Sequence, residues 1–489
     1  MEELLKLGLK GLRELYHKKE ISPREVVDFQ IAQIEKLQPH INAVCEKNFE
    51  AARKMAQQQS ENFSEFSNKP LFGSPFSVKE MLAFQDFHLT AGSVARKDYV
   101  STKTATVVQR LVNAGGIPLC TTNVPEIGFW WETNNPLYGR TRNPYDLSRI
   151  SGGSSGGEAA LIAGRGVFFG VGSDIGGSIR NPSAFCGISG HKPSPKLIPL
   201  TGHFQTEHNE IKYKAGNKYP YTTLGPLARH TADLPLLFNL MSGEDGWDPE
   251  VKGKLEINEV LRDPTELKVY YIDHPVFHLA SATSEEVAQA VRSSADLFSQ
   301  LGCEVQALNP RLFKNGLPYW ITALQSVSEL PKYEEVLTNQ KGLSHKIALA
   351  KEFLEFFKGH GSYTLPSLLF VLMEKFKLTE KDLKKYHEEL LHFKKEFHDF
   401  LGTDGVLIMP VMPTSAPRHN HPLLSPCDFI YSGVFNALEV PATSVPVGLS
   451  KEGLPLAVQI IASPHQDENA LSAAIAIEKV FGALPAPSI

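Results

Sequence analysis

The segment that most limits what this chain can become is Ser151 to Pro193, SGGSSGGEAALIAGRGVFFGVGSDIGGSIRNPSAFCGISGHKP. Glycine loses more conformational freedom on folding than any other residue. A run this rich in it is tolerated only where backbone must turn sharply or approach something closely. Two serines are embedded in the glycine pairs, Ser154 in Gly-Gly-Ser-Ser-Gly-Gly and Ser178 in Gly-Gly-Ser. Ahead of Ser178, Ile175, Gly176 and Gly177 can turn successive N–H groups towards one point, which suits a developing oxyanion.

Other readings of the same glycines compete with this one. Gly152-Gly153-Ser154-Ser155-Gly156 has the form of a G-x-S-x-G nucleophile elbow. An elbow follows a strand directly, however, and residues 143–149 (NPYDLSR) read as a polar turn. A dinucleotide fingerprint fails because Gly170-Val171-Gly172 is followed by Ile175 where a third glycine is needed. No G-x-x-x-x-G-K-[ST] loop supports a nucleoside triphosphate site. Alone, the segment is also compatible with tight turns that carry no chemistry.

Length and charge narrow the class. At 489 residues the chain exceeds the usual single core, so two subdomains or one large α/β layer structure both fit. A net charge of -5 gives no electrostatic case for a nucleic-acid partner. The five cysteines, odd in number and without a C-x-x-C pair, argue against a disulfide framework or zinc site and for a reducing compartment. Met1 to Glu20 mixes Leu with Glu, Lys and Arg at helical spacing instead of forming a signal peptide. No run of about 18 apolar residues occurs, so a cytoplasmic protein is expected.

Caps and periodicity supply the organisation. Ser22-Pro23-Arg24-Glu25 is a capping box with Pro at the first helical position, opening an amphipathic segment to about Gln38. Thr283 with Glu286 gives the same signal before a helix to about Leu301, stopped by Gly302. A third helix follows Thr379, with Leu383, Tyr386, Leu390, Phe393, Phe397 and Phe400 at helical spacing. Short apolar runs at Ile117–Leu119, Val167–Val171, Val269–Ile272, Val406–Met409 and Val458–Ile461 read as strands. Helices interleaved with buried strands predict an α/β protein with both sheet faces covered. The expected divisions are an N-terminal helical region at 1–70, a glycine-rich core at 71–262, a variable helical cap at 263–402 and a return to the core at 403–489.

Both halves of the glycine-serine segment, Gly152–Gly157 and Gly172–Arg180, resemble the signature of the amidase signature family. Gly73-Ser74-Pro75-Phe76-Ser77-Val78-Lys79-Glu80 is similar to the family's upstream lysine element. Pro441-Ala442, Val445–Gly448, Gly453-Leu454-Pro455 and Val458-Gln459 extend the resemblance, which runs from about Ser22 to Phe481. It implies an α/β/α layered fold, with a central mixed sheet covered by helices and a helical cap insertion. It also implies hydrolysis of carboxamides through a Ser-Ser-Lys triad, with Ser178 as nucleophile, Ser154 as bridge and Lys79 as base. The N–H groups of Ile175, Gly176, Gly177 and Ser178 would then hold the oxyanion. By itself Lys79 reads as a surface lysine at a strand end, and none of the 17 histidines stands in a catalytic context. Asp174 and Arg180 read as a structural pair bracing the loop. No cofactor or metal is implied.

The family spans several substrates. Phe129-Trp130-Trp131, with Thr122–Pro125 and Asn135–Gly139 around it, resembles fatty acid amide hydrolases, and Leu365–Met373 resembles the second type of that enzyme. These features favour a small-molecule amide substrate with a fatty acyl group, Phe129, Trp130 and Trp131 lining its site. A peripheral membrane contact through Phe353, Leu354, Phe356, Phe357 and Leu365–Met373, flanked by Lys351, Lys358, Lys375 and Lys377, is weighed against simple core burial. The alternatives are a glutamine-hydrolysing component of a tRNA-dependent amidotransferase, kept by similarity to the glutamyl-tRNA(Gln) enzymes, and a small-amide amidase. A non-catalytic scaffold would lack one of Lys79, Ser154 and Ser178. A homodimer is left open.

Overall fold

The computed structural model describes residues 2–204, 221–258, 261–326, 332–339, 349–374 and 379–489. All five apolar runs form or overlap strands. In chain order these are β1 (Val44–Lys47), β2 (Pro75–Lys79), β3 (Ile117–Thr122), β4 (Asn134–Asn135), β5 (Gly139–Arg140), β6 (Phe169–Asp174), β7 (Ser189–Lys192), β8 (Thr223–Ala228), β9 (Lys268–Tyr271), β10 (Val305–Ala307), β11 (Gly405–Pro410), β12 (Ala442–Leu449) and β13 (Pro455–Ala462). Eleven of them build one sheet in the order β1-β3-β2-β6-β8-β7-β12-β13-β11-β9-β10, while β4 and β5 form a separate ribbon. The sheet is mixed. β2 runs parallel to β3 and β6, and β9 parallel to β10 and β11, with antiparallel pairs between these groups. Helices cover it, as α/β layering requires.

Strand alternation decides which residues reach the chemistry. On β2, Phe76 and Val78 enter an apolar cluster with Phe169, Val171, Leu224 and Leu237. Ser77 and Lys79 therefore face the other way, and Ser77 Oγ donates to the buried Glu158 carboxylate at 2.5 Å.

Two helix starts follow their sequence signals. The Pro23–Ile41 helix has the complete Ser22–Glu25 capping box, and Thr379 caps the Glu380–Leu401 helix. The third does not. The helix after Thr283 spans Glu285–Gln300 with Ser284 at its N-cap, because the Thr283 hydroxyl is engaged by Tyr431 Oη at 3.1 Å. Gly302 ends it at φ +89°, as expected.

Two expected divisions shift as well. Residues 1–70 are not wholly helical, since β1 pairs with β3. The segment 263–402 is not a helical cap throughout, because β9 and β10 pair with each other and β9 with β11 in the common sheet. Helices dominate only after β10, from Gly316–Gln325 through Leu349–Phe357 and Leu365–Met373 to Glu380–Leu401. Among the described residues no helix is long and apolar enough to cross a membrane.

Candidate active site

Lys79 is the last residue of β2, and the parallel register that sets Val78 opposite Val171 brings it level with the end of β6. Its Nζ lies 3.0 Å from Ser173 Oγ and 3.3 Å from Ser173 O. The glycine-serine run leads into the Gly156–Ala163 helix, carrying Ser154 Oγ to 2.7 Å and Ser155 Oγ to 2.9 Å from the same amine. Gly157 permits this approach, since a Cβ there would collide with the Asn123 backbone. The Lys79 side chain is fully buried and, among the described residues, in no salt bridge. Burial pushes its pKa down to about 7, against the opposing attraction of Asp174 and Glu158. An amine poised there is substantially neutral near neutral pH and can take a proton from a hydroxyl in contact with it. The Gly153–Ser154 peptide bond beside it is cis.

Ser178 stands on the loop between β6 and the Arg180–Cys186 helix. Asp174 organises that loop, accepting from Gly177 N at 2.7 Å, Ile179 N at 3.0 Å, Arg180 Nε at 3.1 Å and Arg180 Nη2 at 3.0 Å. Asp174 and Arg180 are completely buried, and although burial alone would raise the Asp174 pKa, Arg180 and these donors hold it well below the usual range. The expected bracing pair is therefore made. Gly177 sits at φ +108°, which lets the chain turn its N–H inward to the carboxylate. That bond corrects the expected set of oxyanion donors, because the Gly177 N–H is already committed to Asp174. Among the described residues the N–H groups of Ile175, Gly176 and Ser178 donate to no acceptor. Trp320 Nε1 pins the loop by donating to Ile175 O at 2.8 Å, and Ser155 N donates to Ser178 O at 3.1 Å.

Ser178 Oγ makes no hydrogen bond among the described residues, so Ser178 and Ser154 are not directly bonded. They do line one small cavity together with Ser173, Ile175 and Met81. On its other side Ser178 opens to an apolar cavity of about 280 Å³. Phe129, Trp130 and Trp131 all line it, joined by Trp320, Phe370 and Phe429 from distant segments. The Phe370 ring, on the Leu365–Met373 helix, packs edge-on against Phe129 at 5.7 Å and Trp130 at 6.0 Å.

Lys79, Ser154, Ser178, Ile175 and Gly176 thus converge, with the aromatic triplet beside them. Sequence reasoning missed Ser155 and Ser173, which complete the cage of oxygens around Lys79. Both lie inside the glycine-serine motifs, so adjacency was a usable signal. Trp320, Phe370 and Phe429 carried no local signal, since their sequence surroundings are ordinary apolar helix.

Residues 25–471 match the Amidase family. The chain is 34% identical to fatty-acid amide hydrolase 2 of Homo sapiens, an alignment covering 99% of this chain and 91% of that protein. It is 29% identical to the glutamine-dependent relative from Caldanaerobacter subterraneus subsp. tengcongensis, a component of glutamyl-tRNA(Gln) amidotransferase, over 98% and 97% of the two chains. The fold superposes on 6-aminohexanoate cyclic dimer hydrolase with a TM-score of 0.81 at 24% identity, covering 99% of each chain. It superposes on a fatty acid amide hydrolase with a TM-score of 0.76 at 19% identity, over 98% of this chain and 86% of that one. With the serine-lysine cluster held on a mixed α/β sheet and the family match spanning most of its length, the chain belongs to the amidase family and is an amide hydrolase.

Proposed function

We propose that this enzyme cleaves hydrophobic carboxamides through an acyl-enzyme on Ser178, with Ser154 and Lys79 as its proton relay. Ser178 Oγ attacks the carbonyl carbon and passes its proton to Ser154, whose own proton goes to the neutral Lys79 amine. The carbonyl oxygen becomes an oxyanion held by the N–H groups of Ile175, Gly176 and Ser178. Collapse of the tetrahedral intermediate breaks the C–N bond, and the proton held by Lys79 returns through Ser154 to the departing amine. Water then attacks the ester, and the acid leaves. The observation that carries this reading is the buried, near-neutral Lys79 bonded to Ser154 at 2.7 Å, in a cavity Ser154 shares with Ser178.

The acyl group belongs in the apolar cavity. Its aromatic lining, the absence of any Lys or Arg among the lining residues and the likeness to fatty-acid amide hydrolase 2 favour a fatty acyl chain. A glutamine-hydrolysing enzyme would need a cationic group there for the substrate carboxylate. Chain entry from a lipid surface fits the outer face of the same wall, where Leu354, Phe357, Leu372 and Met373 are exposed near Lys351 and Lys358. Lys375 and Lys377 lie outside the described residues.

Two measurements test the reading. Ser178→Ala should abolish turnover and covalent labelling by a fluorophosphonate, and persistent labelling would place the nucleophile elsewhere. Ammonia release from saturated primary amides of increasing length should climb steeply, because each buried methylene contributes about 0.8 kcal/mol, roughly fourfold in kcat/KM. A flat profile would move small polar amides to the front.

A further inference from the structure

The apolar cavity contains two buried polar side chains with nothing to bond. The Asn181 carboxamide is 1% exposed, and among the described residues neither its Nδ2 nor its Oδ1 has a hydrogen-bond partner. Trp131, 4% exposed and from a different chain segment, lines the same cavity with its Nε1 likewise unpartnered. A buried donor or acceptor left unpaired carries its full desolvation cost, and native proteins keep few such groups without a use for them. Two of them from separate segments, meeting at a cavity that also holds Ser178, point to a polar group on the bound molecule.

Position and chemistry narrow that group. Asn181 lies three residues beyond Ser178 in the first turn of the Arg180–Cys186 helix. Its amide rests against Gly177, where a Cβ would come within 2.5 Å of Nδ2 and 2.6 Å of Oδ1. The matching substrate group therefore sits within a few bonds of the reacting carbonyl, not at the far end of the chain. Asn181 offers both donors and an acceptor, whereas Trp131 only donates. Their complement accepts at least as often as it donates, as a secondary amide or a hydroxyl does. Beyond this point the lining is apolar, with Leu317, Ile321, Leu369 and Met373.

Resting on the reading of this cavity as the acyl site, we infer that Asn181 and Trp131 form a polar subsite for a hydrogen-bonding group, an amide or a hydroxyl, carried on the acyl part of the substrate close to the scissile carbonyl. Preferred substrates are then long-chain acyl amides substituted near the carboxamide, such as N-acylated amino acid amides or β-hydroxyacyl amides, ahead of plain alkyl amides.

The test compares kcat/KM for N-dodecanoylglycinamide, β-hydroxytetradecanamide and tetradecanamide in the wild type, Asn181→Leu and Trp131→Phe, with octanamide as a chain-length reference. The wild type should prefer at least one polar substrate over tetradecanamide by about tenfold or more, and the better substrate identifies the group bound. In Asn181→Leu that ratio should collapse towards parity while the melting temperature stays level or rises, since an unpaired buried amide has been removed. Trp131→Phe should lower the ratio too, and it decides the matter if the leucine variant does not fold. No preference in the wild type overturns the subsite. So does an equal loss on all three long substrates with a lower melting temperature, which would mark Asn181 as structural. If tetradecanamide also fails to outperform octanamide, the acyl reading of the cavity has failed; a steep length dependence without a polar preference sinks the subsite alone.

Discussion

Desolvation brings the Lys79 amine down to about 7 although Asp174 and Glu158 both favour its charged form. Four oxygen contacts from Ser154, Ser155 and Ser173 hold it without neutralising a cation, so burial prevails. If the neutral amine is the base, kcat/KM for an amide falls about tenfold for each pH unit below roughly 7 and levels off above. A profile flat down to about pH 5 would exclude it. The same burial affects stability. Because the folded pKa lies below the ordinary 10.5, the unfolded chain binds the Lys79 proton more tightly between about 7 and 10.5, and stability from this group rises with pH across that window. Lys79→Met, which buries no charge, should lose amide turnover by at least about a hundredfold. Its urea midpoint relative to wild type should improve as pH drops from 10 towards 7. A constant midpoint difference would show that burial does not depress this amine.

At the scale of elements, the wall of the acyl cavity depends on one carboxylate. Glu126 Oε2 accepts from Thr364 N and Thr364 Oγ1, each at 2.8 Å, at the start of the Leu365–Met373 helix. Burial raises the Glu126 pKa to about 7, so the anchor is a carboxyl well removed from water. Glu126→Ala should cost about 1–3 kcal/mol by leaving helix N-terminal donors unmet. The observable is local: faster amide hydrogen exchange over 365–373 and a higher KM for long-chain amides, with kcat for short ones little changed. Unaltered exchange in that helix would mean that ring packing on Phe370 alone holds the wall. This element also shows how far sequence carried. The run LPSLLFVLM marked an apolar helix, but only the structure divides it, with Leu368 and Val371 buried, Pro366, Leu369 and Phe370 on the cavity and Leu372 exposed.

Over the whole molecule, the sheet interleaves early and late segments. β7 pairs with β12, and β9 is held by β11. A chain ending at 262 would leave β7 with an open edge, since β12 and every strand beyond it would be gone, exposing long unpaired backbone. Such a truncation should be insoluble or lack cooperative unfolding, whereas the full chain should show one dominant calorimetric transition. An independently folding 71–262 fragment would contradict this.

The sequence alone determined the chemical type of the site. A glycine-serine segment this unusual has few backbone solutions, and the family resemblance it carries placed Lys79, Ser154 and Ser178, now found converging. Strand positions were legible because apolar runs are short-range signals. Tertiary structure alone decided four things: that the Gly177 N–H serves Asp174, that Thr283 is taken by Tyr431, that β9 and β10 belong to the common sheet, and that Trp320, Phe370 and Phe429 complete the cavity. Each depends on a partner far away in the chain or on how the loop closes around it. Local sequence carries propensity and spacing, but not which distant group will desolvate, bond or cover a residue.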